Sequence, residues 1–78
     1  MSSRMLTLAD VMEVLSISAS QAYALVRSGE LRALQIGGRG QWRVEASELE
    51  AYIQRMYDQT GARIAAEARQ HGELPAER

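Results

Sequence analysis

A glycine-rich turn carries arginine between two short segments that alternate polar and apolar residues. Residues 34–44 read LQIGGRGQWRV and hold Arg39, Arg43, three of the six glycines and the single tryptophan. A guanidinium group presents a planar fork of N–H donors that matches the oxygens of a phosphate. Residues 18–43 contain four arginines against one glutamate, a local charge of +3, although the whole chain carries −1. Because the local charge determines what a surface attracts, this stretch suits a phosphate-bearing partner.

Other chemistries lack the residues that they need. The chain has no cysteine, and its one histidine, His71, stands in a polar segment with no second histidine to complete a metal site. Glu45, Glu48 and Glu50 lie where a helix is predicted to start, so they complement the helix dipole and imply no acid–base pair in a cleft. The GGRG sequence precedes a strand rather than a helix, unlike a phosphate-binding nucleotide loop. We therefore predict a protein that is not an enzyme, with no metal and no cofactor.

Two short helices are predicted ahead of the glycine turn. Thr7 is a candidate N-cap for a first helix at roughly 8–15, whose apolar residues recur at helical spacing. Ser18 and Gln21 form a second capping-box pattern, and the second helix, 18–28, is followed directly by a glycine. Two short helices joined by a turn of about three residues are typical of a helix-turn-helix.

A β-hairpin is predicted next. Residues 33–36 and 41–44 can each form a strand, and the glycine-rich residues 37–40 connect them. In the second strand Trp42 and Val44 point to one face, and the polar residues that alternate with them point to the other. We interpret Trp42 as a core residue rather than as a platform for base stacking.

A third helix is predicted to begin between residues 45 and 47, with Ser47 as a candidate cap. Apolar residues follow on one face at spacings of three and four. Gly61 is predicted to interrupt this helix, residues 62–71 to be moderately helical and residues 72–78 to fray.

The elements make up one domain of a mostly α fold with a small β-hairpin. We predict a winged helix-turn-helix over 5–57 and a C-terminal helical and frayed tail over 58–78. The chain has no run of about 20 apolar residues and no visible signal peptide, so we expect a cytoplasmic protein without a membrane partner.

Residues 6–53 resemble the excisionase family of winged helix-turn-helix proteins, which is allied to MerR-type DNA-binding domains and to BldC-like regulators. The resemblance covers about three fifths of the chain. It is most specific at the Leu6-Thr7 start, in the SGEL of residues 28–31 and in the IGGRGQWRVEASELEAYI of residues 36–53. It implies a bacterial or phage protein that binds double-stranded DNA at the nucleoid.

The resemblance also implies where the DNA contacts lie. The second helix would enter the major groove by its N-terminal half, and the hairpin would lie along the adjacent minor groove or backbone. The implied contacts are Ser18 and Ser20 to a phosphate, Gln21 to a base edge, Tyr23 to a base or the backbone, Arg27 to a phosphate, and Arg39, Gln41 and Arg43 from the hairpin. Three of these have a purely structural alternative: Gln21 as a cap, Tyr23 packed partly under the hairpin and Arg39 as a solvated turn residue.

Ala19 and Ala24 depart from the family pattern, which usually has arginine or lysine at the matching positions. Arg27 is therefore the only cation of the second helix. We expect modest affinity for each monomer, base recognition by few groups and binding that depends on several copies.

Three functions remain open at this point. One is a sequence-specific transcriptional regulator, and another is an excisionase that bends DNA at an attachment site and recruits an integrase. The third is a winged-helix module that binds protein, which the two alanines allow. The expected partners are double-stranded DNA, further copies of the chain bound cooperatively and, for an excisionase, an integrase. Residues 54–71 have few large apolar side chains, so we expect a monomer in solution rather than a coiled-coil dimer.

Overall fold

Three helices and a three-stranded antiparallel sheet form the fold in a computed structural model, which describes residues 4–71. In chain order the elements are β1 (Met5–Thr7), α1 (Leu8–Leu15), α2 (Ala19–Ser28), β2 (Leu34–Ile36), β3 (Gln41–Glu45) and α3 (Ala46–His71). The predicted mostly α fold with a winged helix-turn-helix is confirmed. The predicted ranges of the first two helices and of the hairpin agree with the structure to within one residue.

Reciprocal side-chain caps start α1 as the sequence predicts. The Thr7 hydroxyl accepts from the backbone amide of Asp10 at 3.1 Å, and the Asp10 carboxylate accepts from the backbone amide of Thr7 at 3.0 Å. The hydrogen bond from the Thr7 backbone amide stabilises the charged carboxylate, and it is the main reason why the pKa of Asp10 lies below its ordinary value of 3.8. At the other end Ser16 adopts a left-handed conformation with φ 56°, which ends the helix and turns the chain toward α2.

The sheet has one strand more than predicted. β3 lies in the centre, with β1 on one side and β2 on the other, both antiparallel to it. Leu6 of β1 lies opposite Val44 of β3, and both side chains are buried. The expectation of a two-stranded hairpin was therefore incomplete, because β1 is too short to show alternation and, unlike β2, has no turn that joins it to its partner strand.

A small core joins these elements. Its buried residues come from β1, both short helices, the segment before β2, β3 and the start of α3: Leu6, Val11, Ala22, Val26, Leu31, Val44 and Leu49. Trp42 is partly buried and packs against this cluster, in agreement with its interpretation as a core residue. β2 contributes no buried side chain, so β3 holds the hairpin on the domain.

The third helix corrects two predictions. It begins at Ala46, so Ser47 lies inside its first turn and is not its N-cap, and it passes Gly61 without interruption to His71. Glycine in a helix costs only about 1 kcal/mol relative to alanine, and the helix formers around Gly61 offset this. From residue 57 to residue 70 the side chains are exposed apart from a partly buried Ala68. α3 therefore projects beyond the core, and the molecule measures 54 × 30 × 20 Å. The frayed segment predicted at 72–78 lies outside the described residues.

No helix within residues 4–71 combines the length and the apolar character that crossing a membrane requires.

Two glycine substitutions should change stability in opposite directions. Gly61 lies in regular helix, and an added Cβ would meet nothing within 4 Å, so Gly61→Ala should increase the helical signal and stabilise α3 by about 0.5–1 kcal/mol. Gly29 has φ 85° at the end of α2, so Gly29→Ala should destabilise the domain by about 1–2 kcal/mol although space is available. Urea unfolding followed by circular dichroism measures both. A less helical Gly61→Ala variant would contradict the continuous helix.

Candidate nucleic-acid interface

The exposed face of α2 carries short side chains and one cation. Ala22 and Val26 are buried against the core, which fixes the rotation of the helix about its axis. Ser20, Ala24 and Arg27 follow one another at spacings of four and three residues, and all three are exposed on the opposite side. A partner that approaches this face meets a hydroxyl and a methyl group first and a guanidinium only in the last turn.

The N-terminus of α2 uses two of the predicted contact residues for its own cap. The Ser18 hydroxyl accepts from the backbone amide of Gln21 at 3.2 Å, and the backbone amide of Ser18 donates to Gln21 Oε1 at 3.0 Å. The Ser18 hydroxyl also lies 3.3 Å from Gln21 Oε1. The backbone amide of Ala22 donates to the Ser18 carbonyl. Within the described residues this leaves the amides of Ala19 and Ser20 for an anion, and the Gln21 side-chain amide nitrogen as a donor.

Tyr23 and Arg27 extend from α2 without a polar partner among residues 4–71. Tyr23 is 46% exposed, and its hydroxyl has no hydrogen-bond partner among these residues. Arg27 lies in the last turn, where a positive charge complements the helix dipole. Both polar groups are available to a partner outside the chain.

The hairpin turn is fixed by its own hydrogen bonds. The backbone amide of Gly40 donates to the Gly37 carbonyl at 3.3 Å, and Gln35 Nε2 donates to the Gly40 carbonyl at 3.0 Å. Gly37 and Gly40 have φ of 74° and 64°, conformations that glycine adopts without strain. Arg39 lies within this turn, is exposed and has no polar partner in the described part of the chain. The turn thus presents one unpaired guanidinium from a defined backbone.

Arg43 and Gln41 share the outer face of β3, as the alternation predicts. Arg43 lies between Thr7 and Leu34 in the cross-strand register and is partly buried. Its guanidinium donates to the Trp42 carbonyl at 2.8 Å and to Gln41 Oε1 at 3.4 Å. These bonds hold Arg43 close to the sheet, so it reaches less far than Arg39 and can bind only a partner that lies along the strand.

Long-range contacts that the sequence did not indicate tie the segment between α2 and β2 to α3. Arg55 Nη2 donates to the Glu30 carbonyl at 2.7 Å, and its guanidinium carbon lies 5.7 Å from the centre of the Tyr52 ring. Arg32 pairs with Glu48 at 3.2 Å, with the Arg32 side chain 83% exposed. These residues lie 25 and 16 positions apart, so no local pattern could reveal the pairs. The Arg32 pair also neutralises part of the local +3 charge.

The described residues also form concave regions. An apolar groove of about 310 Å³ lies between the end of α1 and the middle of α3, lined by Leu15, Tyr52, Ile53, Met56, Tyr57 and Thr60. A smaller depression of about 130 Å³ lies beside the Arg32–Glu48 pair. Across residues 4–71 no group of three or more histidine, cysteine, aspartate or glutamate side chains is placed to hold a metal ion.

The comparisons with known proteins agree with this geometry. A sequence model described as a helix-turn-helix domain matches residues 5–57, well over half of the chain. Comparison with curated proteins and with solved structures gave no match.

The contribution of Gln21 to the helix cap can be measured by stability, without any partner present. Glutamate can accept the same hydrogen bond from the Ser18 amide, whereas alanine cannot, so Gln21→Glu should be more stable than Gln21→Ala by about 0.5–1 kcal/mol. Urea unfolding of both variants measures the difference. The same two substitutions at the exposed Gln59 in the middle of α3 are the control, and they should show no such preference for glutamate. A glutamate–alanine difference at position 21 equal to the difference at position 59 would mean that the bond to Ser18 contributes nothing.

Proposed function

The chain belongs to the excisionase-like helix-turn-helix family of DNA-binding proteins. We propose that it is a small transcriptional regulator that recognises a specific double-stranded DNA sequence. DNA binding is assigned to residues 5–57, and the tail from 58 to 78 is assigned no base contact. Such a regulator acts in the cytoplasm, at the nucleoid.

Two surfaces contact DNA in this proposal. α2 enters the major groove with Ala24 toward the base edges, and the hairpin turn places Arg39 in the adjacent minor groove or on its backbone. The main support for the proposal is Arg39, whose exposed guanidinium is unpaired among the described residues and lies on a turn that hydrogen bonds within the hairpin hold in place. A cation held in this way loses little conformational freedom when it binds.

The remaining predicted residues take narrower roles. The free first-turn amides of α2, the Ser20 hydroxyl and Arg27 bind phosphates, and Tyr23 reaches the backbone or a base from the flank of the helix. Gln41 and Arg43 bind the backbone along β3, with Arg43 oriented by its bond to the Gln41 side chain. Ser18 positions the helix through its cap.

Few charges imply a weak dependence on salt and a low affinity for one monomer. Arg27, Arg39 and Arg43 are the three cations assigned to DNA. Each phosphate contact contributes about 0.9 to the slope of log K against log salt, so the slope is about −3 for one copy. Specific sites therefore require several copies side by side, and cooperative binding of the chain with itself is part of the proposal.

An excisionase is the second candidate, because the matching family is excisionase-like and α3 exposes its side chains from residue 57 to residue 70. An excisionase must bind DNA and an integrase at the same time. α3 beyond the core offers a surface for a protein partner that DNA bound at α2 and the hairpin leaves free.

Capture of sheared genomic DNA by the full-length chain, followed by sequencing, tests the proposal and separates the candidates. Enrichment at promoters supports a regulator. Enrichment at the boundary of an integrated element beside an integrase gene supports an excisionase. Absence of enrichment above background, together with no binding to duplex DNA at low salt, would leave a protein-binding module as the function.

Arg39→Ala tests the hairpin contact. We expect weaker binding to every duplex and a salt slope reduced by about 1, since one phosphate or minor-groove contact is lost. Titration of a selected and a scrambled duplex over a range of salt concentrations measures both effects. Arg63→Ala is the matched control, because Arg63 is exposed in α3 and has no partner in the described structure. Parental binding by Arg39→Ala at every salt concentration would refute the hairpin assignment.

A further inference from the structure

We propose that α2 recognises thymine by contact between its exposed alanine methyl groups and the 5-methyl group of the base. Ala24 makes the central contact, and Ala19 makes a second contact at the start of the helix. This inference rests on the proposed function, because it takes the docking of α2 in the major groove as given. It assigns the two alanines a positive role in specificity.

The structure leaves both methyl groups uncovered. Ala24 lies between Ser20 and Arg27 on the face opposite the buried Ala22, and Ala19 is the first residue of the helix. Because the side chains at the centre of this face are short, the backbone of α2 can approach the bases more closely than a helix with long side chains. At that distance an alanine methyl reaches a group on a base edge directly.

The cap limits what Gln21 can recognise. A bidentate contact with adenine needs the side-chain carbonyl to accept from N6 and the amide to donate to N7. The Gln21 carbonyl already accepts from the Ser18 backbone amide at 3.0 Å and lies 3.3 Å from the Ser18 hydroxyl. A turn of this side chain toward a base would break the cap, so Gln21 keeps only its amide nitrogen for DNA.

The residue types that recognise guanine and cytosine are absent from the half of α2 that enters the groove. Guanine is read mainly by arginine or lysine, and cytosine by a carboxylate. Residues 19–24 contain no charged residue, and Arg27 stands in the last turn of the helix. Thymine is read by apolar contact with its methyl group, for which Ala19 and Ala24 are suited. The composition of the exposed face therefore favours thymine among the four bases.

The experiment replaces thymine by deoxyuridine. The full-length chain selects duplexes from a random library at low salt, and each thymine of the selected site is then replaced singly. Deoxyuridine keeps the hydrogen-bonding groups of thymine and removes only the methyl group from the major groove. Burial of one methyl group is worth about 0.8 kcal/mol, so Kd should rise about fourfold at each thymine in contact with an alanine.

A protein variant distinguishes direct contact with the thymine methyl group from an effect of that methyl group on DNA shape. In Ala24→Ser a hydroxyl group that is hydrated in the free protein is added to the contacting carbon, so the effect of deoxyuridine should fall at the thymine that Ala24 contacts. Ala51→Ser is the matched control, because Ala51 is exposed in α3, away from the proposed contact. It should show the full fourfold effect. Circular dichroism checks that both variants keep the helical content of the parent.

The outcomes distinguish this inference from the proposed function. A selected site at which no deoxyuridine changes Kd would overturn methyl recognition and leave specific DNA binding intact. A deoxyuridine effect that persists unchanged in Ala24→Ser and in the corresponding Ala19→Ser variant would also overturn it, since the methyl groups would then act through DNA stiffness. Failure to select any sequence would overturn sequence-specific binding, and the inference with it.

Discussion

The pairing of β3 with β1 is the constraint on which the rest of the domain depends. It places Leu6 opposite Val44, both buried, and so joins the start of the chain to a strand nearly 40 residues later. α1 begins at the residue after β1, and α3 begins at the residue after β3. The hairpin is attached to the domain through β3 as well. One pair of short strands therefore sets the direction of a helix, of the hairpin and of the long C-terminal helix.

The small core explains why few groups of α2 remain free to bind a partner. Among residues 4–71, seven buried side chains form the core, and α2 contributes only Ala22 and Val26 to them. A short helix with so little buried area depends on its ends, which is why Ser18 and Gln21 are used in a cap and Gly29 in a left-handed turn. Stability and recognition compete for the same first turn. The groups that remain for a partner are those that the cap does not use.

The elements that could be predicted from the sequence are those that local interactions define. Thr7 with Asp10 and Ser18 with Gln21 mark helix starts within four residues, and the glycines at 37–40 mark the turn. β1 could not be predicted, because its partner strand is distant in the sequence and no turn beside it marks the pairing, as the glycines do for the equally short β2. The bonds of Arg55 to Glu30 and of Arg32 to Glu48 were missed for the same reason. In the site, the alternation predicted which face Arg43 occupies, but only the fold revealed that its guanidinium is already bound while Arg39 is unpaired.

The projection of α3 beyond the core has a consequence for hydrodynamic measurements. The radius of gyration of the Cα atoms is 16.0 Å, whereas a compact domain of this length has a value of about 12 Å. An elongated particle diffuses more slowly than a sphere of equal mass and leaves a gel-filtration column earlier. A monomer of this chain will therefore elute earlier than a globular protein of the same mass, and its apparent mass will be too high. Its stoichiometry, free or on DNA, has to be determined by light scattering or sedimentation equilibrium, in which mass is measured independently of shape.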